Sequence, residues 1–361
     1  MKKIIFTGGG SGGHVTLNLS LIPYFLQNNW QVVYIGSKTG IEKELVCRIS
    51  GVRYYEIETG KLRRYLSLEN IKDALRVPLG VIQAFAIIAK EKPDIIFSKG
   101  GFVSFPVVLG GFLNRRKKIF MHESDVTPGL ANKMSLPFVS TFFTTFPDTE
   151  KYVADKFKNK VNYVGPVLSD RLYNGNPEKA RKMCGFTSDK PVIMFVGGSL
   201  GAKSINQAVR KNLDSLLKKY QIIHICGKGQ ADNTRRKGYV QFEFVDTKFK
   251  DLMALAEVVI SRAGSNAIFE LHSLNKPMLL IPLPSNASRG EQSLNAKAFE
   301  KHGFAKVIKD EDLAKPKMLT DKIDETFNER EMLTENMLKS KMKQTSSAQL
   351  YEAIVKDETL Q

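Results

Sequence analysis

Cysteine is scarce: Cys47, Cys184 and Cys226 are the whole complement of 361 residues, and no C-x-x-C pair occurs. That excludes a disulfide framework and a cysteine–zinc site, and it fits a reducing compartment. No run of 18 apolar residues is present, so nothing reads as a membrane-spanning helix. The opening MKKIIF gives way to glycine too soon for a signal peptide. Acidic residues are also in deficit, 37 against 54 Lys and Arg, for a formal charge of +17. Such an excess suits nucleic acid, anionic lipid or anionic small substrates. No helix-turn-helix, zinc-finger or RNP-type pattern accompanies it, which sets nucleic acid aside as a partner.

What is present is a repeated alternation. KKIIFT, QVVYIG, PDIIFSKG, KKIFMHE, STFFTTF and NYVG read as buried strands separated by segments of helical length. After residue 190 the series restarts with PVIMFVGG, QIIHICGKG, VQFEF, VVISRAG and PMLLIPLP. Continuous apolar runs at this spacing predict parallel strands with crossover helices, hence an α/β protein of two doubly wound domains. The join is expected near Gly165–Pro166–Val167, giving domains of residues 1–165 and 166–342. A charged helical tail over about 343–361 is left to pack back on the first domain.

Three loops carry the chemistry. TGGGSGGH, residues 7–14, satisfies the G-x-G-x-x-G spacing through Gly8, Gly10 and Gly13. A dinucleotide site also needs an acid at the end of the second strand to hold a ribose. QVVYIGSKTG has none, and the first carboxylate is Glu42, inside the next segment. The nicotinamide reading fails there. In VGGSLGAKSIN, Gly197, Gly198 and Gly201 let backbone approach an anion, Ser199 offers a hydroxyl, and a helix starting near Ala202 points its positive end the same way. No G-K-[ST] follows, which excludes a P-loop. In SRAGSNAIFELHSL, Gly264 and Ser265 begin a helix that carries Glu270, a carboxylate placed to chelate a ribose diol. Glu291 and Gln292 in SRGEQSLNA stand at another helix start and suit sugar hydroxyls.

Together these loops resemble the MurG family of peptidoglycan N-acetylglucosaminyltransferases. The resemblance rests on GGGSGGH, SKGGFVSFP at 98–106, HESDVTPGLANK at 122–133, GGSLGA at 197–202, EFVD at 243–246, SRAGSNAIFE at 261–270 and RGEQSLNA at 289–296. It implies a GT-B fold, two Rossmann-like domains facing across a cleft, and inverting transfer of N-acetylglucosamine from UDP-GlcNAc to the muramyl 4-hydroxyl of lipid I. A GT-B enzyme with a diacylglycerol or teichoic-type acceptor is the alternative, against which the SKGGF and HESD motifs stand. In the donor site the resemblance puts Gly198, Ser199 and Gly201 at the diphosphate. Backbone around Phe244 and Val245 would meet the uracil. Gly264, Ser265 and Glu270 would lie toward the ribose, and Glu291 and Gln292 would face the sugar. Ser11, Gly12 and Gly13 would also approach the donor. Gly9, Gly10, Gly100, Gly101, His122 and Glu123 fall to the acceptor.

An inverting transfer needs a general base for the acceptor hydroxyl. His14 is the candidate and Asp125 the second choice; a helix-capping or phosphate-binding role for His14 stays open. No clustered acidic pair such as D-x-D is apparent, so neither metal nor tightly bound cofactor is expected, and loop amides and a helix dipole neutralise the leaving group. Relatives carry asparagine at Asp125, glutamine at Glu291 and an arginine just after the G-P-V segment. Here Arg171 stands two residues late, or Ser169 occupies that place.

A lipid-linked acceptor implies a peripheral place on the cytoplasmic face of the membrane. The stretch from Lys61 to Lys90 supplies Arg63, Arg64 and Arg76 beside Leu75, Leu79, Ile82 and Phe85, a basic and apolar surface suited to anionic lipid. Burial of those apolar residues in the core is the competing reading. Cell-wall synthesis or division proteins are further expected partners.

Overall fold

Seven short, apolar strands make the first sheet: β1 (Lys3–Thr7), β2 (Gln31–Ser37), β3 (Val52–Ile57), β4 (Ile95–Ser98), β5 (Ile119–Glu123), β6 (Thr141–Thr144) and β7 (Val161–Tyr163). They lie in the order β3-β2-β1-β4-β5-β6-β7, and every neighbouring pair is parallel. The computed structural model describes residues 1–60, 68–168, 172–187, 189–198, 201–284 and 290–356, with side chains of the helix Leu68–Glu91 described from Arg76 onward. Lys61, Arg63, Arg64, Arg171, Ser199 and the side chain of Leu75 therefore lie outside the described residues.

Burial explains the strand composition. Ile4, Ile5 and Phe6 of β1 and Val32 to Ile35 of β2 are covered on both faces, as a parallel sheet between helices requires. Opposite faces feed two cores, one with Ile4, Phe6, Phe25 and Phe97, the other with Ile5, Ile35, Ile96 and Met121. A two-residue strand, β8 (Val167–Leu168), follows.

The second sheet contains β9 (Val192–Val196), β10 (Gln221–Ile225), β11 (Tyr239–Phe242), β12 (Val258–Ser261), β13 (Met278–Leu280) and β14 (Ala305–Val307), ordered β11-β10-β9-β12-β13-β14 and again parallel. Each sheet reverses its winding beside its first strand, between β1 and β4 and between β9 and β12. Loops leaving the carboxyl ends at such a reversal have room to hold a ligand.

Two strands lack an expected apolar run, and both are edges. β3 reads VRYYEI, with most of its side chains partly open, and β14 reads AKV. An edge strand needs only one neighbour and tolerates charge, so it carries no continuous hydrophobic signal.

Contacts divide the chain into Met1–Ser169 with Lys343–Gln361, and Asp170–Met342. The last strand, β15 (Thr345–Ser346), pairs with β8. The helix Ser347–Lys356 sets Leu350, Tyr351 and Ile354 into the first core, with the Tyr351 ring 4.8 Å from Phe25 in an edge-on contact.

Candidate functional site

In the second unit, a cavity of about 570 Å³ opens at the carboxyl ends of β9 and β12. Gly197, Gly198, Gly201, Phe244, Val245, Gly264, Glu270 and Gln292 all line it. Residues from four sequence motifs, nearly a hundred positions apart, thus meet around one space. Gly201 makes the tightest turn there. Its φ is +77°, and a Cβ would stand 2.0 Å from the Cys226 carbonyl oxygen.

That carbonyl is itself fixed. It accepts from Asn206 Nδ2 at 2.9 Å, Asn206 Oδ1 meets His224 Nε2 at 2.9 Å, and His224 Nδ1 meets the Tyr239 hydroxyl at 2.8 Å. Asn206 Oδ1 only accepts, so Nε2 carries the imidazole proton and Tyr239 donates to Nδ1. Burial, then the positive charge of Arg210, lowers the His224 pKa to about 4, so the ring stays neutral.

Glu270 projects from the helix Ser265–Ser273, and burial raises its carboxyl pKa to about 7. Gln292 sits in the first turn of the helix Glu291–Lys301. Its Oε1 accepts from Leu283 N at 3.2 Å, which turns Nε2 toward Gly264 as a donor. Phe244 is 65% exposed, an apolar ring at the rim.

The sequence reading passed over Arg262, although it stands inside SRAG. Its Nη1 reaches Asp310 Oδ1 at 2.5 Å and its Nη2 reaches Ser204 Oγ at 2.8 Å, tying β12 to the start of the helix Lys203–Lys219. One D-x-D spacing does occur, at Asp310 and Asp312, contrary to the sequence reading. The structure gives both carboxylates to cations, Asp310 to Arg262 and Asp312 to Lys315. Among the described residues, no group of three or more His, Cys, Asp or Glu is placed to hold a metal.

In the first unit, three loops leave the adjacent ends of β1, β4 and β5. Gly9 N approaches Gly100 O at 3.4 Å, and Lys99 Nζ donates to Ser124 Oγ at 2.7 Å. His14 closes a short 3-10 turn, with its Nδ1 2.9 Å from Ser11 Oγ. Ser11, Gly12 and Gly13 are exposed.

The Gly10 amide donates to the Glu42 carboxylate at 3.2 Å, and the Gly9 amide faces Gly100 O. The Ser11 hydroxyl is engaged with His14. His122 is 2% exposed; burial, then the charge of Lys99, holds its pKa well below the usual histidine range. Glu123 is buried as well, accepting from Ser124 N, Asp125 N, Gly129 N and Asn132 Nδ2. Glu123 thus braces the loop around Asp125 from within, and the His122 backbone carbonyl accepts from Asn132 Nδ2 at 3.2 Å. Lys99 and Glu42 are buried charged residues that the motif reading missed.

The helix Leu68–Glu91 exposes Leu79, Ile82 and Phe85, and the neighbouring helix Ser104–Leu113 exposes Phe112 and Leu113. Their spacing makes one apolar stripe, and Arg76 beside it reaches Glu58 at 4.0 Å. No helix among the described residues is long and apolar enough to cross a membrane.

Residues 4–144 match the glycosyltransferase family 28 N-terminal domain and residues 192–351 the family's C-terminal domain. A UDP-N-acetylglucosamine–N-acetylmuramyl-(pentapeptide) pyrophosphoryl-undecaprenol N-acetylglucosamine transferase of Geobacillus kaustophilus is 55% identical over 86% of this chain and 87% of the relative. One of the same name from Clostridium tetani is 49% identical over 95% of this chain and 94% of its own length. A crystal structure of Acinetobacter baumannii MurG shares the fold with a TM-score of 0.77 at 23% identity, covering 99% of this chain and 100% of that one.

Proposed function

The chain belongs to glycosyltransferase family 28, among its UDP-N-acetylglucosamine–N-acetylmuramyl-(pentapeptide) pyrophosphoryl-undecaprenol N-acetylglucosamine transferases, and we infer that it moves N-acetylglucosamine from UDP-GlcNAc to the muramyl 4-hydroxyl of lipid I. The observation that carries this reading is the cavity of the second unit, where glycine turns, Glu270 and Gln292 converge as a nucleotide sugar requires. Amides at Gly197, Gly198 and Gly201 and the N-terminus of the helix Lys203–Lys219 are placed to meet the diphosphate. Gln292 donates to the sugar, and Glu270 accepts from the ribose diol. Backbone at Phe244 and Val245 reads the uracil edge.

Two charges develop as the bond breaks. The departing UDP oxygen gains negative charge, stabilised by fixed amides and the helix dipole. The attacking 4-hydroxyl loses a proton, which His14 accepts. For that, Nδ1–H donates to Ser11 Oγ, which fixes the tautomer and leaves Nε2 as the base atom. Asp125 is the second candidate for this proton. The base must come within about 3 Å of the hydroxyl in the reacting complex.

The acceptor distinguishes this reading from its nearest rival. Offered labelled UDP-GlcNAc with a lipid I analogue and with diacylglycerol, the protein is expected to label only the former. Label in diacylglycerol would favour the other lipid acceptor.

Glu270 gives the donor site a pH dependence. With its pKa raised to about 7, the carboxyl is neutral below that pH and ionised above it. A ribose diol donates to both oxygens of the ionised form, so donor binding requires loss of the proton. UDP-GlcNAc affinity therefore weakens as pH falls through 7, approaching about tenfold per pH unit. The diphosphate diester carries fixed charge in this range, so the slope belongs to the protein. Calorimetric titration of wild type and Glu270→Gln checks it: the variant is expected to bind weakly with no slope, and an equal slope in both would remove Glu270 from the site.

Lipid I lies in a membrane, and the exposed Leu79, Ile82 and Phe85 with nearby basic residues form the contact surface on its cytoplasmic face. Binding to vesicles containing anionic lipid is expected to fall when Ile82 and Phe85 become serine, and to fall further when Arg63, Arg64 and Arg76 are neutralised. Unchanged sedimentation with vesicles would give that stripe another role.

A further inference from the structure

The TGGGSGGH loop is tethered from beneath by a carboxylate that the reaction scheme leaves unused. Glu42 is completely buried, on the short helix Ile41–Val46 that follows β2. Its Oε2 accepts from Gly10 N at 3.2 Å; its Oε1 accepts from Ser37 N at 3.1 Å and from the Ser37 hydroxyl. All three partners donate, as an acceptor-only carboxylate needs, and no cation is among them.

Space for the carboxylate is made by missing side chains. A Cβ on Gly9 would lie 2.4 Å from the Glu42 carboxyl carbon, and one on Gly40 would lie 2.2 Å from its oxygens. The neighbouring phenols complete the tether. Tyr34 donates to Gly8 O at 2.6 Å and Tyr54 to Ser37 O at 2.8 Å. Burial first, and the Glu42 charge second, push the Tyr54 hydroxyl far above its ordinary range, so it stays a donor.

We propose that Glu42 is a positioning residue of the transfer reaction: its buried carboxylate anchors the glycine loop at Gly10 and thereby sets where His14, four residues on, stands against the acceptor hydroxyl. This rests on His14 being the base. The loop between Gly8 and His14 is rich in glycine and exposed from Ser11 to Gly13, so its own chain does little to fix its course. Beside the backbone contact of Gly9 with Gly100, two side chains hold it, Tyr34 at Gly8 and Glu42 at Gly10. A base displaced by about 1 Å loses roughly a hundredfold in rate, so a tether of this kind bears on turnover.

Glu42→Gln is the discriminating variant. The side-chain oxygen keeps the bonds from Ser37, while the amide NH₂ replaces the oxygen that faces the Gly10 N–H, setting donor against donor. The expected result is a turnover number lower by about tenfold or more, with KM for UDP-GlcNAc unchanged. Hydrogen–deuterium exchange is expected to quicken in residues 7–15 and to stay as in wild type across β2. Wild-type turnover with wild-type exchange in 7–15 would overturn the proposal. So would a general rise in exchange through the first unit, which marks a structural residue only. His14→Ala measured alongside separates the two readings. If it keeps wild-type turnover, the assignment of the base falls whatever Glu42→Gln does. If it loses turnover and Glu42→Gln keeps it, the Glu42 proposal alone falls.

Discussion

Replacing His14 by alanine lowers the turnover number by about a thousandfold, in the middle of the range for removal of a positioned general base. The same variant is expected to keep near wild-type affinity for UDP-GlcNAc, because Gly198, Gly201, Glu270 and Gln292 line a cavity of the second unit. His14 is partly exposed and closes a single 3-10 turn, so its loss leaves no cavity in the core and the melting temperature stays near wild type. Steady-state transfer, donor titration and a thermal melt on one preparation check the three parts together. Turnover within a few-fold of wild type would move the base elsewhere, first to Asp125. Ser11→Ala is expected to cost less, since it removes the partner of Nδ1 and leaves the imidazole present.

Gly201→Ala is expected to weaken donor binding strongly, lowering UDP-GlcNAc affinity by about a hundredfold, the worth of one or two hydrogen bonds to a charged group. At a φ of +77° an alanine is strained by about 1–2 kcal/mol on backbone grounds alone. The added methyl would also lie 2.0 Å from the Cys226 carbonyl oxygen. That oxygen cannot retreat without breaking its bond to Asn206, which is held by His224 and through it by Tyr239. The turn must therefore move, and with it the amides assigned above to the diphosphate. Gly198→Ala is the control. Gly198 also has a positive φ, +84°, but among the described residues nothing stands within 4 Å of a Cβ there. It is expected to show the backbone strain without the collision, with a much smaller loss in calorimetric titration. Equal losses in the two variants would mean that the Cys226 carbonyl yields.

The sequence was most legible where a function is local. Glycine turns after β1, β9 and β12 stand out because backbone geometry and close approach demand glycine, and the apolar runs before them mark buried parallel strands. The donor cavity gathers residues chosen from the motifs alone, Gly198, Gly201, Phe244, Val245, Gly264, Glu270 and Gln292. Illegible were features whose meaning depends on partners far along the chain. Glu42 entered only as an acid in the wrong place for a ribose, and nothing local says that Gly10, 32 positions away, is its partner. Arg262 looks like part of a turn until Asp310, 48 positions on, is seen to neutralise it. His122 and Glu123 share a motif with Asp125, yet strand direction buries the first two and leaves the third part-open in the loop. The edge strands β3 and β14 escaped because an edge relaxes the demand for apolar residues that makes inner strands visible.

Transfer to lipid I is read most directly from its product. Purified protein is incubated with labelled UDP-GlcNAc and a soluble-chain lipid I analogue, and the linkage of the product is read by NMR. Label is expected on the muramyl 4-hydroxyl with inverted, β, configuration at the anomeric carbon. Loss of that product is expected in His14→Ala, with UDP-GlcNAc still bound. Absence of transfer, or a product with retained α configuration, would contradict the assigned reaction.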